Sequence, residues 1–221
     1  MNGPRSAHFW GHSCLLAGQR GRMYAVMARL AAVLWLLAAA GYLAAEAFAA
    51  TALPGYGYGA DYISTLGDPA VSPRAPLMNA AFAFQGVCFA VATTLFAAQA
   101  PRSRNRQWLL VFAIGNGVGN VLVALVHSGQ GNPWHVIGAV LAIVGGNGAA
   151  LAGSAMLAST AYRWASIGLG ALGLVCLLVV GLGVEQAGLW ERGSVYPIFA
   201  WQILTAIVLL RRQTGSASSI S

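Results

Sequence analysis

The chain has 221 residues, of which 58% are apolar and 8% charged. A soluble domain carries about 25% charged residues, so this chain cannot cover a water-facing surface and its solvent must be lipid. The net charge of +7 comes from twelve arginines without a lysine. They flank apolar runs, so they read as topology markers rather than as a nucleic-acid footprint.

The first 24 residues are polar and irregular and lack the charged-then-apolar order of a signal peptide. They are expected to be a disordered tail, and Met23 and Met27 are alternative starts. A six-helix domain over 25–212 follows, because six runs approach the ~20 apolar residues a transmembrane helix needs. They are Leu30–Ala50, Leu77–Gln99, Trp108–His127, His135–Ser159, Trp164–Val184 and a shorter Tyr196–Leu210. Gly and Pro crowd the first connection, 51–76, with Pro54, Pro69, Pro73 and Pro76. Residues 213–221 read as a second disordered tail. Trp108, Trp134, Trp164 and Trp190 lie near span ends, where tryptophan anchors a helix at the membrane interface.

Ten of the twelve arginines fall in the tails and even-numbered loops; only Arg74 and Arg192 lie on the other side. The positive-inside rule then places both termini in the cytoplasm of a bacterial cell, with the chain in its plasma membrane. The expected fold is all-α: a polytopic bundle of six transmembrane helices. Gly115 and Gly119, with Gly145 and Ala149, form small-residue pairs expected to pack helices within the chain. Cys14, Cys88 and Cys176 show neither a disulfide framework nor zinc spacing, and no metal or other cofactor is expected.

Every acid lies toward the non-cytoplasmic side: Glu46 near the end of the first span, Asp61 and Asp68 in loop one, Glu185 and Glu191 in loop five. His127 and His135 join them at helix mouths. Asn116, Asn120 and His127 are four and seven apart, which places them within about 40° of one another on one helix face. A polar stripe in lipid is costly unless it faces other helices or a wet cavity. Loop one is long for a connection and holds Tyr56, Tyr58, Tyr62, Ile63 and Leu66, so it is expected to fold over the helix mouth as a cap. Asp61 is a candidate cap for a short helical turn ended by Asp68-Pro69, and Ser194 a candidate N-cap with Pro197 in the first turn of the last helix. Arg192 is expected to pair with Glu191, Asp61 or Asp68, or with an anionic lipid headgroup.

The run Asp61-Tyr-Ile-Ser-Thr-Leu-Gly-Asp-Pro, with Pro76-Leu-Met-Asn79 and Gly188-Leu-Trp-Glu-Arg-Gly-Ser-Val-Tyr196, resembles a bacterial and archaeal six-span membrane family, domain of unknown function 998. Loop one is also loosely similar to the Frag1/DRAM/Sfk1 group, some members of which act in lipid-anchor remodelling or lipid distribution. The resemblance implies the architecture, with loops one and five as the signature face, at Asp61, Ser64, Leu66, Gly67, Asn79, Glu191, Arg192 and Tyr196.

These readings converge on a protein that handles a lipid or isoprenoid in an outward-facing polar pocket capped by loop 51–76. The candidate acid–base residues are Asp61, His127, Glu46, His135 and Glu191. Asn116, Asn120, Asn79, Tyr62, Arg192 and Tyr196 are the candidate substrate-binding residues. A buried acid at Asp61 or Glu46 would protonate an alkene or epoxide in a membrane cyclase; a histidine base would serve lipid hydrolysis or transfer. Expected partners are membrane lipids and a hydrophobic small molecule. The alternative is a non-catalytic accessory membrane subunit; a small-solute transporter fits less well, since no inverted repeat is visible.

Overall fold

The computed structural model describes the backbone of residues 5–217 and the side chains of residues 19 and 21–213. Six helices are each long and apolar enough to cross a membrane. They are α1 (Arg5–Ala52), α2 (Ala75–Ala98), α3 (Arg104–Leu125), α4 (Pro133–Gly153), α5 (Thr160–Gly181) and α6 (Ala187–Ala217). Two short 3-10 turns, Ile63–Gly67 and Ser128–Gln130, lie in the loops after α1 and α3. The outward faces of the helices carry exposed Val, Leu and Ile, such as Val26, Ile114 and Leu178, as lipid contact requires.

Local chemistry sets several boundaries. Ser103, Asn132 and Ser159 each accept a hydrogen bond from an amide two or three residues on and so open α3, α4 and α5. Pro133 sits at the start of α4, where its missing N–H costs nothing. At the chain ends, α1 begins at Arg5 and α6 continues to Ala217, so parts of both expected tails are helical. Extending an existing helix is far easier than nucleating one. Residues 1–4 and 218–221 of those tails lie outside the described residues.

The last helix starts nine residues earlier than its hydrophobic pattern predicts. Its first amides are taken up by loop one: Leu189 N–H donates to the Gly59 carbonyl at 2.9 Å and Gly188 N–H to Ala60 at 3.3 Å. Ser194 is therefore not an N-cap; it is buried inside α6 and donates its hydroxyl to the Glu191 carbonyl at 2.6 Å. Pro197 lies in the helix interior rather than in its first turn.

The helices pack as a ring. α1 contacts α2 and α6, α2 contacts α3, α3 contacts α4 and α4 contacts α6, while α5 lies against α4 and α6. α3 and α4 meet through glycine. A Cβ on Gly119 would collide with the backbone of Gly138 and Ala142, and one on Gly145 with that of Asn116. Gly119 and Gly145, one from each small-residue pair, thus pack helices within the chain. Toward the end that carries the termini, the ring is filled by Trp35, Phe89, Phe96 and Trp201, with the Trp35 and Trp201 rings 5.5 Å apart. The other end is filled differently and holds the buried acids and Arg192.

Candidate functional site

Glu46 on α1 and Arg192 on α6 meet inside the bundle, 1% and 5% exposed. The guanidinium Nε donates to Glu46 Oε1 at 2.9 Å. Tyr196, one turn on, donates its hydroxyl to both carboxylate oxygens at 3.0 and 3.1 Å. Nη1 of Arg192 donates to the carbonyls of Tyr58 at 2.7 Å and of Asp61 and Gly188 at 3.0 Å. Nη2 donates to the Tyr56 hydroxyl, which donates in turn to the Tyr62 carbonyl. The guanidinium also lies 4.5 Å from the centre of the Tyr58 ring. Burying two charges costs several kcal/mol per ion unless pairing and hydrogen bonds offset it; here both charges are fully engaged.

This cluster straps loop one to the bundle. Arg192 pairs with Glu46, and not with Glu191, Asp61, Asp68 or a lipid headgroup, because α1 ends beside the first turns of α6 and loop one wraps the guanidinium with backbone oxygens. Burial pushes the Tyr56 hydroxyl up to about 12 despite the nearby Arg192, and raises that of Tyr58 for the same reason. Both therefore stay protonated across the physiological range.

The strap holds down a lid. Ile63 and Leu66 of the first 3-10 turn are fully buried against Tyr42, Met78, Phe82 and Phe199. Asn79 donates to the Gly67 carbonyl at 2.9 Å and latches the far end of the lid. The Glu191 carboxylate accepts the Ile63 N–H from below. Asp61 does not cap this turn: its carboxylate accepts the Gly57 N–H at 2.8 Å and closes the preceding turn, leaving Tyr62 at the cap position. Asp68 does end it, and its carboxylate accepts the Ala70 N–H.

Under the lid is a cavity of about 50 Å³. Its polar lining comes from Tyr42 on α1, Gln85 on α2, Asn116 and Asn120 on α3, His135 on α4 and Glu191 on α6. Asn116 donates to the Ala142 carbonyl at 2.7 Å and Asn120 to the Asn116 carbonyl at 3.0 Å, and among the described residues the buried amide oxygens of Asn116 and Gln85 meet no donor. His135 Nδ1 lies 2.7 Å from the Val126 carbonyl. A carbonyl only accepts, so Nδ1 bears a proton there and Nε2 is the ring nitrogen left for the cavity. One oxygen of Glu191 holds Ile63; the other has no protein partner among the described residues. The cavity therefore presents a carboxylate oxygen, an imidazole nitrogen and amide oxygens to one small volume, room for a few waters. Among the described residues, no three metal-ligating side chains converge to hold an ion.

The predicted site residues thus divide. Glu191, His135, Asn116 and Asn120 share the cavity, and Glu46, Arg192 and Tyr196 form the strap. The Asp61 carboxylate, Asn79 and Tyr62 belong to loop turns and the latch, and Tyr62 is 41% exposed. His127 leaves the asparagine stripe because α3 ends at Leu125 and Val126 turns extended; its ring lies near Gln130 in loop three. The sequence reading passed over Tyr42 and Gln85. Each had a visible signal: Tyr42 is one turn before Glu46, and Gln85 is a primary amide in the middle of an apolar span.

The architecture is that of a multi-pass membrane protein with a lidded polar cavity between its helices. Residues 36–208 match the family model described as protein of unknown function (DUF998), and the chain belongs to that family. No curated protein and no solved structure matches it, so nothing here carries the looser likeness of loop one to the Frag1 group.

Proposed function

We propose that the protein binds the polar end of a membrane amphiphile, a lipid or an isoprenoid, in the lidded cavity, with Glu191 and His135 as the groups that exchange protons with it. The arginine distribution supports termini in the cytoplasm and a lid facing outward from a bacterial plasma membrane. One observation carries the reading: the Glu191 carboxyl group and the His135 imidazole, from different helices, line the same small volume, beside the Asn116 and Gln85 amide oxygens, which are buried without a hydrogen-bond partner among the described residues. Such a set suits a headgroup with hydroxyl or amine donors. The volume also restricts the chemistry. Pockets that enclose a whole small molecule run to about 300–1,000 Å³. Some 50 Å³ admits a headgroup fragment, while the rest of an amphiphile would lie between helices or in the bilayer. Folding an isoprenoid chain for cyclisation needs the lid and helices to part, so hydrolysis or transfer at a headgroup fits better than cyclisation. The strap itself favours the accessory-subunit reading to this extent: Glu46 and Arg192 are fully engaged with each other and with loop one, a structural role.

The test is mass spectrometry of lipid extracts from a deletion strain complemented with wild type, Glu191→Gln, Asp61→Asn or His127→Ala at matched membrane levels. A lipid species should change on deletion and return with wild type, Asp61→Asn and His127→Ala but not with Glu191→Gln. Full rescue by Glu191→Gln would remove the cavity from the function. No lipid change on deletion would shift the weight to the accessory-subunit reading.

A further inference from the structure

At the opposite end of the bundle, where the termini lie, a second cavity of about 780 Å³ opens between α1, the end of α2, the α4–α5 connection and α6. Its floor is apolar: Ala28, Phe96, Met156, Leu157 and Leu209. Its rim carries Arg22, Arg29 and Arg212. All five Asp and Glu side chains of the chain lie in the other half of the molecule or its loops, so among the described residues this end offers those arginines no acidic side chain. Arg29 is oriented rather than loose. Its Nε donates to Gln213, whose own amide donates to the Ala25 carbonyl at 3.1 Å, which ties α1 to α6 and leaves the outer guanidinium nitrogens for the cavity. Met23 and Val26 beside the rim are exposed, 51% and 63%, and face the bilayer.

We infer that this cavity is a binding site for an anionic phospholipid of the leaflet on the side of the termini. Three guanidinium groups around an apolar floor match a headgroup phosphate joined to acyl chains. Arginine presents a planar fork that pairs with two phosphate oxygens at once, and basic pockets between transmembrane helices take anionic headgroups on this principle. The topology rule accounts for arginines near helix ends; it does not account for three of them on one cavity. A soluble phosphate ester would gain the charge pairing but nothing from the floor, so the site commits to a lipid. It is separate from the lidded cavity and does not depend on its role.

The full chain, purified in detergent and stripped of lipid, is offered vesicles of phosphatidylcholine with or without phosphatidylglycerol. Retained lipid is then quantified by native mass spectrometry. Wild type should retain phosphatidylglycerol over phosphatidylcholine. The double variant Arg29→Gln and Arg212→Gln should lose that preference by about thirtyfold, from two charges near a membrane surface. Arg163→Gln, an arginine at the same end that does not line the cavity, should leave it intact. Arg29→Lys with Arg212→Lys should recover part of it, which separates lost charge from lost fold. Equal retention of both lipids by wild type, or an unchanged preference in the double Gln variant, would overturn the site. Inorganic phosphate at millimolar concentration displacing the lipid fully would overturn the lipid as occupant and leave a soluble anion instead.

Discussion

Glu46 and Arg192, 146 positions apart in the chain, meet at 2.9 Å in the interior of the bundle. The pair closes the ring between α1 and α6 and carries the loop-one strap. Arg192→Met leaves Glu46 buried and unpaired, and removing one partner of a buried pair costs about 3–5 kcal/mol. Replacing both, Glu46→Gln with Arg192→Met, should cost clearly less than the sum of the single changes. Thermal unfolding of the detergent-solubilised variants measures this as a double-mutant cycle; additive losses would mean that the two charges do not depend on each other.

Gly115 and Gly119 look equivalent as a GxxxG pair but are not. A Cβ on Gly115 would meet its nearest neighbours at 3.9 and 4.0 Å, whereas one on Gly119 would overlap the backbone of α4. Gly115→Ala should be neutral to within about 0.5 kcal/mol. Gly119→Ala should destabilise by about 1–3 kcal/mol through overpacking. Equal thermal shifts for the two would contradict the α3–α4 contact.

The Tyr56 hydroxyl sets an alkaline limit. Its folded value, pushed up to about 12, stands above the ordinary tyrosine value of 10.0. Between those values the folded chain keeps a proton that the unfolded chain has lost, so unfolding becomes more favourable as pH rises. The contribution of this group should be full and independent of pH up to about pH 9 and should be lost across about pH 10–12. Tyr56→Phe should flatten that fall. An absorbance titration should find a tyrosine that ionises well after the exposed ones; if Tyr56→Phe leaves the titration curve unchanged, the burial argument is wrong.

His127 and His135 should separate by chemical access. His135 is 9% exposed and hydrogen-bonded to Val126, while His127 lies half-buried in loop three. A water-soluble imidazole-acylating reagent should modify His127 first in intact protein, and peptide mass spectrometry gives the order. Prior modification of His135 would mean that the lid stands open in solution.

The helices were legible in the sequence because lipid leaves one solution to an apolar run of twenty residues. Asn116 and Asn120 were legible as well, since a seven-residue window of helix sets their direction. The partner of Arg192 was not. Charge sign narrows its mates to five acids, but which one it meets depends on how α1 and α6 cross, a fact absent from either segment alone. The early start of α6 was hidden for a related reason. Glu191, Arg192 and Ser194 read as loop by hydropathy, and they enter the helix because loop-one carbonyls and a buried carboxylate supply what lipid does not. Asp61 misled through chemistry that was right in kind: it does bond a nearby amide, but the one at Gly57.

The fastening of loop one to the start of α6 also orders the birth of the molecule. Loop one leaves the ribosome after the first helix, yet its carbonyls at Tyr58, Gly59, Ala60 and Asp61 wait for donors at Gly188, Leu189 and Arg192. A Cβ at position 188 would strike the Asp61 backbone, so the two segments touch with no side chain between them. Until the sixth helix is inserted, the lid has its Asn79 latch but not its strap, and Glu46 lacks its counter-charge. A nascent chain stalled after five helices therefore carries a lid without its strap, and quality-control proteases at the membrane surface would meet residues 58–61 of loop one unguarded.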